Sequence, residues 1–192
     1  MPQPDHIVKV PLPDEDDLDG DIKEYYAKCR DKLGLVPNVI RAYTANQAKL
    51  RNFIAFYNTL MLDEDTCALS KLEREMIAVV VSAVNRCYYC LVAHGQAVRQ
   101  LSGDPQLGEM MIMNYRVAEL DVRQRAMLDF TWKLTKTPDA VSDDDRGHLR
   151  DVGFSDQDIF DICDVAAFFN YTNRMAHGLD MMPNPDYHAM DR

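Results

Sequence analysis

Glu75-Met76-Ile77-Ala78-Val79-Val80-Val81-Ser82-Ala83-Val84-Asn85-Arg86-Cys87-Tyr88-Tyr89-Cys90-Leu91-Val92-Ala93-His94 is the stretch on which the reading of this chain turns. Just upstream, Ser70-Lys71-Leu72-Glu73 has the form of a capping box, which opens a helix running to about Val84. Asn85 and Arg86 break that helix, and a second one runs from about Tyr88 to Leu101. A carboxylate on the first helix and two thiols and an imidazole on the second are the groups able to carry chemistry.

Outward from this pair the rest of the chain also has helical period. Asp21 to Leu33 ends at Gly34, with Pro37 beyond it. Asn38 is placed to cap a short turn through Tyr43. Ala48, Leu50, Phe53, Ile54, Phe56, Tyr57, Leu60 and Met61 make one wide apolar stripe on a long helix. Asp104-Pro105 starts a helix to about Arg116, and Asp121 to Gln124 starts another that Thr137-Pro138 stops. Ser142 with Asp143 to Asp145 opens a short helix, and Ser155 caps the last long one, which runs to about His177. Met181 to Pro185 reads as a tail draped over a surface. No stretch alternates with period two, and no hairpin turn separates strand-like runs. The expected fold is all-α, a bundle of about eight helices. An acidic arm over residues 1–20, with Ile7, Val8, Val10 and Leu12 available for docking, precedes one helical domain over 21–192.

The chain of 192 residues carries 21 Lys plus Arg and 31 Asp plus Glu, a formal charge of −10, which opposes binding to nucleic acid or an anionic membrane. The longest central apolar run, from Met76 to Val84, is too short to span a bilayer. The first twenty residues have neither an apolar core nor a basic start for a signal peptide, so a cytoplasmic location is expected. Five cysteines are too few, and odd in number, for a disulfide scaffold. In a reducing compartment a close pair reads as redox or metal chemistry.

Cys87 and Cys90 form a C-x-x-C at a helix start, where amide N–H groups and the helix dipole favour thiolate. That argument favours Cys87 as the more acidic thiol. His94, four residues beyond Cys90 on the same face, can exchange a proton with a thiol, which favours Cys90. Glu75 lies in the apolar run before the pair, and a buried carboxylate needs a partner, for which His94 is the natural candidate. The bland alternatives are two inert buried cysteines and a solvated Glu75 beside exposed Glu73 and Arg74. Two Cys, one His and one Glu could also hold zinc. Structural zinc normally brings a second C-x-x-C or paired histidines, absent here, so no metal is expected.

The pattern Glu75, Cys87, Cys90, His94, as E-x11-C-x-x-C-x3-H, resembles the alkylhydroperoxidase D core of the carboxymuconolactone decarboxylase-like superfamily. Leu33 to Asn38, Asn85 to Gly95 and Ala166 to Arg174 resemble its peroxidase-related branch. The resemblance implies an all-helical homo-oligomer, from dimer to hexamer, that reduces hydroperoxides with thiols and uses no haem, flavin or metal. It implies that Cys90 attacks the peroxide, Cys87 resolves the sulfenic acid, His94 deprotonates the thiol and Glu75 orients the imidazole. The chain departs from well-studied alkylhydroperoxidases at Tyr89, where they carry a second His. A phenol cannot serve as a base at neutral pH, so the relay is shorter. Two other functions fit the same fold: a lactone decarboxylase, against which the Cys pair counts, and a redox sensor or disulfide carrier. An external thiol, thioredoxin-like or lipoyl-type, would regenerate the pair.

Among the remaining residues, Cys163 reads as buried core, and Cys29 and Cys67 as structural or surface thiols. Asn170, Asn173, Arg174 and His177 share a helix face and read as a polar seam between helices or subunits. Met110, Met111, Met113 and Tyr115 read as a flexible apolar patch at an oligomer interface. The acidic residues Asp143 to Asp145 lack calcium-loop spacing.

Overall fold

The computed structural model describes residues 3–192, and among them every regular element is helical. The α-helices are α1 (Gly20–Leu33), α2 (Asn38–Tyr43), α3 (Gln47–Tyr57), α4 (Lys71–Asn85), α5 (Tyr88–Ser102), α6 (Pro105–Asn114), α7 (Val122–Lys136), α8 (Asp143–Asp151) and α9 (Asp156–Gly178). Eight of the nine span nine residues or more; α2 has six.

Helix α4 is the axis of the molecule. The ten consecutive residues Glu73 to Ser82 are all buried, so this helix has no solvent face along its middle. A helix apolar on every side has to be surrounded, and α5, α6, α7 and α9 surround it. Its start is fixed by the reciprocal bonds of the Ser70–Glu73 capping box, with Glu73 Oε2 accepting from the Ser70 N–H at 2.8 Å. Helices α8 and α9 open with the same device, from Ser142 with Asp145 and Ser155 with Asp158.

Several sequence expectations are corrected here. The apolar stripe from Ala48 to Met61 is not one helix. It widens into a π-type turn over Asn58–Leu62, which still buries Leu60 and Met61 while leading the chain into the loop before α4. Asn38 is not a cap: its own N–H donates to Asn184 Oδ1 at 2.7 Å, while its side chain donates to the Met182 carbonyl at 2.9 Å. The tail thereby caps α2. Met111 and Tyr115 belong to the core, and only Met113 of that group is fully exposed. Cys163 is half-buried, whereas Cys29 and Cys67 are buried.

Glu73 and Arg74 are also buried, against the expectation that both face solvent. Glu73 pairs with Arg123 on α7. Arg74 donates to the carbonyls of Asp63 at 2.7 Å and Leu69 at 2.8 Å, with longer contacts to Leu60 and Cys67. The guanidinium therefore organises the loop between α3 and α4 from inside, a task no period count reveals.

The two ends of the chain meet. Lys9 N–H donates to the Leu179 carbonyl at 2.8 Å and Met182 N–H to the Ile7 carbonyl at 2.9 Å. Val8 is buried by this packing, beside Ala176 and Met181. The last turn, Pro185–His188, is strapped to α5 by Arg99, whose guanidinium donates to the Tyr187 carbonyl at 2.8 Å and the Met190 carbonyl at 3.0 Å.

Arg74→Met should lower the unfolding free energy by about 3 kcal/mol, because it leaves several buried carbonyls without donors. Urea denaturation measures this; a loss below about 1 kcal/mol would show that the loop satisfies those carbonyls by itself.

Candidate active site

The break between α4 and α5 builds the thiol site. Arg86 takes a left-handed conformation, with φ 55 and ψ 38, and ends α4. The chain turns at once, so that Cys87 becomes the residue preceding α5 and its N–H donates back to the Ser82 carbonyl at 2.9 Å. Cys87 is thus the cap residue of α5, and Cys90 lies one turn into it.

This placement divides the two thiols. The Cys87 sulfur accepts a hydrogen bond from the Cys90 thiol and another from the Cys90 backbone N–H, and the imidazoles of His177 and His94 add positive potential. Together these outweigh its burial and bring the Cys87 pKa down to about 7. The Cys90 thiol is pushed well up, first because it donates to Cys87 and then because it is buried. Opposing that rise are Asn173 and Ser82, which also reach the Cys90 sulfur. The surroundings therefore favour thiolate on Cys87 and thiol on Cys90.

His94 Nδ1 lies 2.7 Å from Glu75 Oε2, with both side chains largely buried. The imidazole stands edge-on to Phe169, ring centroids 4.6 Å apart. The bond to Glu75 through Nδ1 fixes the ring and leaves Nε2 to act. No hydrogen bond joins the imidazole to either sulfur among the described residues.

A cavity of about 340 Å³ opens over this group. Cys90, His94 and Glu75 lie in its wall, and Cys87 does not. The structure thus brings the four sequence candidates into one neighbourhood and gives the two cysteines different exposures to it. Tyr89, between the two cysteines, is buried, and its phenol oxygen accepts from the Val39 N–H at 2.9 Å. It secures the first turn of α2 and does not supply a base. A shallower groove of about 620 Å³ beside α7 and α8, lined by Trp132, Lys133 and His148 among others, contains no cysteine.

Sequence reasoning missed the support behind the thiols. Ser82 and Asn173 are completely buried, and Asn173 Nδ2 donates to Ser82 Oγ at 3.1 Å. Asn85 Nδ2 donates to Asn173 Oδ1 and to Asn170 Oδ1, each at 3.0 Å, and His177 Nε2 lies 3.0 Å from the Asn85 carbonyl. The polar seam of α9 thus serves the thiol helices. Its signal was Ser82, the single hydroxyl inside an apolar run. Among the described residues, no three His, Cys, Asp or Glu side chains converge as a ligand set for a metal ion, and no helix is long and apolar enough to cross a membrane.

An all-α bundle with a C-x-x-C at a helix start, backed by a buried Glu–His pair, defines a class of thiol proteins, and the comparisons name it. Residues 50–131 match the carboxymuconolactone decarboxylase family. The whole chain is similar to an uncharacterised peroxidase-related protein from Silicibacter sp. TM1040, at 56% identity over 100% of both chains with a TM-score of 0.95. It is also similar to a peroxidase-related protein with an alkylhydroperoxidase AhpD core from Ralstonia eutropha JMP134, at 40% identity over 97% of each chain with a TM-score of 0.93. The chain belongs to the alkylhydroperoxidase D-like, carboxymuconolactone decarboxylase superfamily, in its peroxidase-related branch. The debrominase Bmp8 shares the fold alone, at 15% identity over 95% of this chain and 94% of that one with a TM-score of 0.77. No curated protein matches the chain.

Replacing Cys90 by Ala removes the hydrogen bond that contributes most to the acidity of Cys87. The thiolate absorbance of Cys87 should then appear at higher pH than the value of about 7 in the native pair. An ultraviolet pH titration reads this, and an unmoved midpoint would assign the acidity to the helix start and the histidines instead.

Proposed function

We propose that the protein is a thiol-dependent peroxidase of the alkylhydroperoxidase type, cycling Cys87 and Cys90 between dithiol and disulfide. The observation that supports this best is the division between the sulfurs: Cys90 lies in the cavity wall beside His94, whereas Cys87 sits outside that wall at the start of α5, where its surroundings favour thiolate.

The chemistry follows from that division. As a hydroperoxide enters, the Cys90 proton passes to Cys87 along the hydrogen bond that joins them. The Cys90 thiolate, held by Ser82 and Asn173, attacks the distal peroxide oxygen. An S–O bond forms and the O–O bond breaks, its electron pair leaving on the alkoxide. His94, oriented by Glu75, passes to the alkoxide the proton that Cys87 released on ionising, and the alcohol forms. Cys87 then loses its proton and attacks the Cys90 sulfenic acid, expelling hydroxide, which takes that proton as water. Two thiols and one hydroperoxide become one disulfide, one alcohol and one water.

The disulfide needs two electrons from an external dithiol. Both sulfurs are buried, and the cavity is the approach to Cys90, which favours a slender arm such as a lipoyl group over the face of a folded thioredoxin. We place the protein in the cytoplasm, where such a pair is kept reduced. We also read it as a homo-oligomer, with exposed Met113, Val117 and Val122 at the junction of α6 and α7 supplying apolar contact surface.

Two outcomes test the reading. Cys87→Ser should still form a sulfenic acid, on Cys90, that persists long enough to be trapped by dimedone and located by mass spectrometry. Cys90→Ser should form none at a comparable rate. A sulfenic acid on Cys87 in Cys90→Ser, formed as fast as native oxidation, would reverse the roles. Glu75→Gln removes the charge that orients and polarises His94. It should slow single-turnover oxidation by about a hundredfold, within the range usual for general acid–base groups. An unchanged rate would remove the Glu–His pair from the mechanism.

A further inference from the structure

The cavity has a composition that reduction of hydrogen peroxide does not need. The chain has seven Phe, nine Tyr and one Trp, and eight of these rings line this one cavity. Four of them form a continuous ladder. Tyr43 stacks on Phe53 at 4.3 Å, Phe53 lies 5.7 Å from Phe168, and Phe168 meets Phe169 edge-on at 5.4 Å. Phe169 in turn meets His94 at 4.6 Å, so the aromatic wall ends against the imidazole. The three leucines at the cavity rim, Leu33, Leu62 and Leu101, are exposed.

Several polar side chains interrupt this apolar surface, among them the phenols of Tyr25, Tyr57 and Tyr187. These three phenols have no hydrogen-bond partner among the described residues, and of them Tyr57 and Tyr187 lie on the Glu75 side of the cavity. Burial pushes both above the ordinary phenol range, so each keeps a proton to donate to an acceptor on a ligand. Tyr187 is delivered by the C-terminal turn that Arg99 straps to α5. A volume of about 340 Å³ is at the small end of organic-ligand sites. It is far larger than a peroxide of two heavy atoms requires, given that a water takes about 30 Å³ of liquid.

We propose that the cavity selects a compact organic hydroperoxide bearing an aromatic ring, with Tyr57 and Tyr187 as the specificity-determining donors. The ring packs against Phe168 and Phe169, where aromatic pairs add to simple burial. The polar end lies among His94, Cys90 and the two phenols. The proposal rests on the peroxidase reading for its reactive group, but the ring and acceptor preference is a property of the cavity and can be measured without turnover.

The test uses the reduced native protein and unreactive alcohols, the products that such peroxides would leave. Binding of cumyl alcohol, tert-butanol and n-octanol is measured by calorimetry, alongside disulfide formation with cumene hydroperoxide, tert-butyl hydroperoxide and hydrogen peroxide. Cumyl alcohol should bind at least tenfold more tightly than either other alcohol, and the doubly substituted Tyr57→Phe, Tyr187→Phe protein should lose about tenfold of that affinity while retaining its fold by circular dichroism. Equal binding of the three alcohols, or tighter binding of n-octanol, would overturn the ring preference, and unchanged binding in the double variant would overturn the role of the phenols. Ring-selective binding by a protein that none of the hydroperoxides oxidises would reject the peroxidase reading and leave the ligand class standing.

Discussion

A carboxylate on the most deeply enclosed helix of a protein has to be satisfied from within, and Glu75 is satisfied by His94 at 2.7 Å. Much of the site follows from that constraint. Because the middle of α4 has no solvent face, three of its polar groups recruit partners from neighbouring helices: Glu73 takes Arg123 from α7, Glu75 takes His94 from α5, and Ser82 takes Asn173 from α9. The Glu75 and Ser82 pairs lie on the side where α5 begins. The enclosure of α4 therefore fixes both the imidazole and the donors behind Cys90.

The thiols are differentiated by one turn of backbone. Cys87 precedes the helix and collects donors, whereas Cys90 lies within it, donates, and faces the cavity. A single low-pKa thiolate in the cavity would expose a permanent nucleophile. Here the sulfur whose surroundings favour thiolate lies outside the cavity wall, and the one in the wall is held as a thiol. Between the two cysteines this chain places a phenol, that of Tyr89, whose oxygen anchors α2.

The helical architecture was legible because its signals are local. The capping box at Ser70, the helix starts at Ser142 and Ser155, Gly34 at a left-handed helix end and the Asn85-Arg86 break all act within a few residues, and the structure uses each of them. The spacing Glu75, Cys87, Cys90, His94 was likewise visible, since two successive helices hold all four. What escaped depended on distant packing. Arg74 reads as a surface residue until the loop carbonyls it serves fold over it, and Asn38 reads as a cap until Asn184 arrives from the other end of the chain. The cavity wall draws on α1, α2, α3, α9 and the C-terminal turn, so no local pattern announces its aromatic ladder. The order of acidity of the thiols also stayed open in sequence, because the helix start favours Cys87 and the histidine spacing favours Cys90. The structure assigns the charge to the first and the cavity to the second.

The central claim is that Cys87 stores the charge that Cys90 uses. The most direct measurement is the pH dependence of single-turnover oxidation of Cys90, followed by stopped flow in the native protein and in Cys87→Ser. The native rate should rise through a transition near the Cys87 value of about 7, and the variant should be slower with that transition lost or moved to higher pH. Identical profiles in the two proteins would contradict the claim and make Cys90 its own source of thiolate.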